Sequence, residues 1–151
     1  MKILIDADAM PRQLKEALLK IAEREKVEMC FVAAHMPRLP ESKFSRGIAA
    51  GNAFNGADNW IAEHAEAGDL IITADIPLAD RGISGGAEVL NTKGEFFTHS
   101  NIKNALAMRE LMEELRITGE VTGGPPPFSE KQRIRFIDAL NRYLQKRKRP
   151  G

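Results

Sequence analysis

Residues 68–80 read GDLIITADIPLAD, and this stretch decides the fold. Asp69 to Ala74 has an unbroken apolar centre that is too short for a helix. It is bounded by Gly68 on one side and Pro77 on the other. Such a run reads as a strand buried on both faces, which is the habit of parallel sheets covered by helices. Pro77 to Gly82 then reads as one or two helical turns, stopped by Gly85-Gly86. A charge at Asp75, directly after a buried strand, needs a reason. In open parallel sheets ligands bind outside the carboxyl ends of the strands, and Asp75 is predicted to stand there.

The same arrangement recurs at the amino terminus. Lys2 to Ile5 is an apolar strand that runs into Asp6, with Asp8 two residues on. Pro11 suits the first turn of a helix, where its missing N–H costs nothing. Leu14, Leu18, Ile21 and Ala22 follow at the three-and-four spacing of one buried face. Val27 to Ala34 is a second buried strand. From His35 to Gly56 the chain is broken by Pro37, Pro40, Gly47 and Gly51, with a short third strand expected within Lys43–Ala50. Asp58 to Glu66 reads as a helix with Ile61, Ala62 and Ala65 inward.

Downstream, Ala87 to Leu90 is a short fifth strand. Ile102, Ala105, Leu106, Arg109, Met112 and Leu115 mark one side of a long helix that runs to about Ile117. Residues 123–127, GGPPP, form a stiff connector. Ser129 with Gln132 then gives a capping-box pattern, and Ile134, Ile137, Leu140 and Leu144 make an apolar stripe. Strand–helix alternation predicts a single α/β domain over residues 1–151, three-layered with a mainly parallel sheet, closed by a C-terminal helix over about 129–146.

A chain of 151 residues with 43% hydrophobic and 28% charged side chains has the balance of a globular protein. No apolar run reaches the ~18 residues of a membrane span, and the amino terminus reads as a strand and not a signal peptide. Cys30 is the only cysteine. That rules out an internal disulfide and fits a reducing, cytoplasmic setting, with Cys30 as small apolar filler. The net charge of +1 conceals an asymmetry: Ser129 to Gly151 has eight Lys or Arg against two Asp or Glu, and the remainder has fourteen against nineteen. Lys146 to Arg149 follow the last stripe residue and are expected to be frayed and solvated.

Asp6, Asp58 and Asp75 are thus expected in one crevice, with Asp8 and Asp80 beside them. Carboxylates brought together raise one another's pKa unless a cation shares the site, and oxygen ligands favour Mg²⁺ or Mn²⁺ over zinc. Each also has a simpler reading. Asp8 is placed to cap the Pro11 helix, Asp58 opens a helix, Asp80 could be an exposed helix residue, and Asn59 could be a ligand or a turn residue. Asp75 has the least need of a capping role. Arg38, Lys43 and Arg46 fall in the irregular loop, where they could meet a phosphate backbone or simply be solvated. His35, His64 and His99 have no metal-ligand spacing.

The segments DADAMP (6–11), ADN (57–59), GDLIITADIPLA (68–79), RELMEELRITG (109–119) and TGGPPPFS (122–129) resemble the bacterial YaiI/YqxD family, also called UPF0178 or DUF188, over nearly the whole chain. That family usually has Cys where Met10 stands here, which argues against a required thiol at the position. The family in turn looks like a branch of the PIN-like nucleases. There a first-strand Asp, an acidic residue opening a central helix and an Asp in a T-x-D-x-x-L-A stretch hold magnesium or manganese. Asp6, Asp58 and Thr73–Ala79 match that pattern. The resemblance implies metal-dependent phosphodiester hydrolysis at Asp6, Asp58 and Asp75, with RNA or another single-stranded nucleic acid as partner. Lys43, Arg46, Thr73 and Arg81 are the candidate substrate contacts. Two alternatives stand beside it. A HAD-like phosphatase also ends its first strand in D-x-D, although Ala-Met-Pro follows here. A non-catalytic nucleic-acid- or protein-binding module would use the basic C-terminal helix.

Overall fold

The two strands that end in aspartates lie side by side. In the computed structural model, which describes residues 1–8, 10–122 and 127–148, β1 (Lys2–Asp6) pairs in parallel with β4 (Leu70–Ile72), Ile5 opposite Ile72. On the other side of β1 lie β2 (Glu28–Ala33) and then β3 (Ser45–Ala49). Beyond β4 lie β5 (Glu88–Leu90) and an antiparallel edge strand, β6 (Phe96–Phe97). The sheet order is β3-β2-β1-β4-β5-β6. The chain therefore winds outward in one direction from β1 and in the other from β4, and the crevice between these two strands is the topological switch point of the sheet.

Side chains alternate between the two faces because successive strand residues point to opposite sides. On one face Ile3, Ile5, Phe31 and Ile72 pack under α1 (Arg12–Glu25), through Leu14, Leu18 and Ile21, and under α5 (Glu130–Lys148), through Phe136, Leu140 and Leu144. On the other, Leu4, Cys30, Val32 and Ile71 pack under Ile61 of α2 (Gly56–His64) and Leu78, Ala79 and Ile83 of α3 (Ile76–Ser84). Ile102 of α4 (Ile102–Ile117) joins that second cluster. Each large apolar side chain buried fully in this way stabilises the fold by roughly 1.5–3 kcal/mol. The three-layer α/β architecture is the one the sequence predicts; Cys30 is buried, and its sulfur is more than apolar filler because it accepts a hydrogen bond from Arg46 Nε at 3.4 Å.

Several boundaries differ for identifiable reasons. Pro11 caps α1 from an extended conformation (φ −59°, ψ 142°) and is not its first helical residue. α3 is a nine-residue helix, longer than two turns. It presses so closely on β4 that a Cβ on Gly82 would come within 2.6 Å of Ile71 Cδ1. The buried face of α5 is Phe136, Leu140 and Leu144, while Ile134 is exposed. Of the expected stripe, Ile137, Leu140 and Leu144 pack on the core, and only Ile134 gives way, to Phe136. α5 also continues to Lys148, whose ammonium is 2.5 Å from Glu25 Oε2 at the end of α1, so the tail is not frayed up to that residue. α4 buries only Ile102 and leaves Met108, Leu111 and Ile117 exposed. The expected connector falls largely on residues 123–126, and Arg149 is in the tail; both lie outside the described residues. Within the described residues, no helix is long and apolar enough to cross a membrane.

Candidate metal centre

Asp6 is the last residue of β1, and the parallel register sets Thr73 beside it at the end of β4. The Thr73 hydroxyl donates to Asp6 Oδ2 at 3.0 Å and accepts from the Asp75 amide at 3.0 Å. One buried hydroxyl thus ties together two of the predicted acids. Asp75 is also the N-cap of α3, its Oδ1 accepting from the Leu78 amide at 2.8 Å. The residue with the least apparent need to cap a helix does so. Asp8, well placed in sequence to cap α1, does not. Its Oδ2 accepts from the Ala34 amide at 2.9 Å, just past the end of β2. Asp58 lies in the first turn of α2, a helix whose N-cap Asn55 makes no side-chain cap bond. Among the described residues, Asp58 has no hydrogen-bond donor, and Asp6, Asp8 and Asp75 each have one oxygen without one.

These four acids form one electrostatic unit. Burial raises the pKa of Asp6, the Thr73 hydroxyl acts against it, and Asp75 and Asp8 push it further up. Asp58 is pushed up to about 6, first by burial, then by Asp75 and Asp6, against the opposing charge of Arg81. Arg81 reaches the same edge from α3 and donates to Asn59 Oδ1 at 2.7 Å. Asp80, on α3, contributes to neither shift. It stands apart from the group.

Lys43 and Arg46 are not brought to this edge. β3 runs parallel to β2, so the chain that leaves the carboxyl end of β2 must cross to the amino end before β3 begins. Lys43 lies at that lower end, and Met29 N donates to the Phe44 carbonyl there. Arg46 sits in the row of Cys30, and its Nε donates to Cys30 Sγ at 3.4 Å and lies 3.7 Å from Glu28 Oε1. The segment after β3 does return to the upper edge. Ala50 and Gly51 hydrogen-bond to Ala33 and Ala34, and Phe54, three residues further on, is 90% exposed. Phe54 carries no signal in the sequence, because nothing in the chain alone shows which loop rims the crevice.

The donor set is all carboxylate oxygen, and its members repel one another, which suits a hard divalent cation. Among the described residues, no three Asp, Glu, His or Cys side chains stand close enough together to enclose an ion. Hydrogen bonds hold the carboxylates of Asp6, Asp8 and Asp75 in their present orientations, and Asp58 is the member of the group without such a bond among the described residues.

Sheet order, layer arrangement and C-terminal helix define a three-layer α/β protein, an architecture consistent with a PIN-like fold. The chain belongs to the family described as "Uncharacterized BCR, YaiI/YqxD family", whose profile matches residues 4–146. It is 48% identical over 144 residues to a UPF0178 protein of Maridesulfovibrio salexigens, covering 95% of each chain. It is 46% identical over 147 residues to one of Vibrio cholerae, covering 97% of this chain and 99% of the other. A UPF0178 protein of Dechloromonas aromatica is 45% identical over 146 residues, 97% of each. No solved structure matches.

Proposed function

We propose that the chain is a metal-dependent phosphodiesterase acting on single-stranded nucleic acid, with RNA as the first candidate. The observation that carries this reading is the gathering of Asp6, Asp58 and Asp75 at the switch point, where one Thr73 hydroxyl bonds Asp6 and the Asp75 amide, and where burial and then Asp75 raise the pKa of both Asp6 and Asp58. A crevice that concentrates uncompensated negative charge suits a divalent cation far better than an anionic substrate alone. Asp6, Asp58 and Asp75 would hold Mg²⁺ or Mn²⁺, with Asp8 at the margin. A cation bound there lowers the pKa of a bound water and stabilises charge on the scissile phosphate.

The protein's own contribution is orientation. Thr73 fixes Asp6 and the Asp75 backbone, the Leu78 amide fixes Asp75, and the Ala34 amide fixes Asp8. Arg81 is the cation whose charge reaches Asp58, and it can meet a phosphate oxygen once Asn59 yields it. Phe54, exposed beside the crevice, offers a face on which a base can stack. The test is cleavage of labelled single-stranded RNA in Mn²⁺. Asp75→Asn should abolish it, because the caps tolerate Asn while the ligand charge is lost. Arg46→Ala should leave it intact, and Phe54→Ala should raise KM with little change in kcat. Undiminished cleavage by Asp75→Asn would remove the assignment.

A further inference from the structure

A concave surface lies on the opposite face of the sheet from Asp58, between the edge strand β6 and α5. It is a groove of about 720 Å³. Arg135, Arg142 and Lys146 line it, and their seven- and four-residue spacings put them in one row along α5. Phe96 and Tyr143 stand together in its wall, ring centroids 5.6 Å apart and tilted by 39°. The Arg147 guanidinium lies 5.7 Å from the centre of the Tyr143 ring. Two acids also line the groove. Asp138 is paired with Arg142 at 3.2 Å, and Glu88 lies beside the Tyr143 hydroxyl. Four cations therefore face two acids in a groove on a protein whose remaining 128 residues carry an excess of acid.

A helix end that is merely solvated would scatter its charges over a convex surface. Here the cations line a hollow and share it with aromatic rings. That combination suits a ligand with a repeating negative backbone and flat apolar groups, which a single-stranded polynucleotide has and a folded acidic protein lacks. We infer that the β6–α5 groove binds single-stranded nucleic acid, its phosphates along the Arg135–Arg142–Lys146 row and a base against the Phe96–Tyr143 pair. The inference rests on the function proposed above for the class of ligand, and on the groove alone for the place. Gly94, in the turn after β5, and Arg135, which lies against it, put one end of the groove on the same side of the sheet as the carboxyl ends of β1 and β4. A strand held in the groove can thus pass over that edge.

Fluorescence anisotropy with the full chain, a labelled oligouridylate of ~15 nucleotides and chelator present tests the groove without hydrolysis. Binding should weaken steeply with salt. The exposed pair Arg142→Gln with Lys146→Gln should reduce the log–log salt slope by about 0.7 for each phosphate no longer neutralised, while Arg142→Lys with Lys146→Arg retains it. Phe96→Leu should weaken binding about tenfold without changing the slope, as removal of one stacked base would. Uridine monophosphate should compete only weakly. No measurable binding at low salt, or an unchanged slope in the double Gln variant, would overturn the inference. Equal competition by the mononucleotide would also overturn it, in favour of a small-molecule pocket. Mn²⁺ is then added and cleavage scored separately. Binding without cleavage supports the groove and removes the hydrolytic reading, and cleavage without groove-dependent binding does the reverse.

Discussion

The Thr73 hydroxyl donates to Asp6 across 67 positions of sequence, at 3.0 Å, between the two strands where the sheet reverses its winding. The bond exists because β1 and β4 pair in parallel with Ile5 opposite Ile72, so the next residue on each strand meets its counterpart. Thr73 is fully buried and has no other route to satisfy its proton. Its placement is a consequence of the core, and the orientation of Asp6 is a consequence of Thr73.

Thr73→Val keeps the volume and removes both the donor to Asp6 and the acceptor for the Asp75 amide. It should lower stability by about 1–3 kcal/mol, the range for leaving a buried partner unsatisfied. Affinity for Mn²⁺ should fall by roughly tenfold to a hundredfold, as when the outer partner of a metal ligand is removed. Thr73→Ser should preserve both. Urea unfolding and Mn²⁺ titration of the three proteins measure these effects. Full Mn²⁺ affinity in Thr73→Val would separate Thr73 from the centre.

The raised carboxylates set a pH dependence of stability in metal-free protein. Asp58 stays protonated in the fold up to about pH 6, whereas an unfolded aspartate releases its proton near 4. Between those values the folded state binds more protons, so stability falls as pH rises through the interval, and the loss persists at neutrality. Asp69 acts with the opposite sign. Burial opposes its ionisation, but hydrogen bonds from Lys2 and the Glu66 amide outweigh that and hold it below the usual range. Its contribution is present above the unfolded carboxylate value and is lost as pH falls through the folded one. Asp58→Asn isolates the first effect. It should raise the chelated melting temperature at pH 7 and flatten the decline between pH 4 and 6. A drop in melting temperature for Asp58→Asn would mean that the cluster is not repulsive.

Gly94 holds α5 against the sheet edge. Its φ is +86°, and a Cβ there would lie 2.7 Å from the Arg135 carbonyl oxygen. Gly94→Ala should therefore destabilise by more than about 1 kcal/mol, with backbone strain and the clash adding. Amide exchange should show the loss concentrated in α5 and β6, with the centre of the sheet little changed. Uniform loss across the sheet would show that α5 does not open by itself.

The parallel core was legible because β1, β2 and β4 are unbroken apolar runs between turn residues, and the strand-end acids could be placed from those runs alone. Asp6 and Asp75 needed only the rule about carboxyl ends, whereas Asp58 follows no strand and reaches the same edge through the first turn of α2. Other features depend on geometry that sequence does not carry. Asp8 is held by the Ala34 amide, a donor common to every residue but proline. Lys43 and Arg46 looked available until the direction of β3 carried them to the far end. β6 is two phenylalanines long, too short to show a period, and it forms because Asn91 and Gly94 turn the chain back on β5.

The proposed activity requires the acids at the ends of β1 and β4 and the start of α2 to form one divalent-cation centre. An anomalous difference map from crystals grown with Mn²⁺ measures this directly. A peak is expected at the switch point, about 2.0–2.6 Å from carboxylate oxygens of Asp6, Asp58 and Asp75. A map with no peak there, or with manganese bound elsewhere while these three carboxylates stay apart, would contradict it.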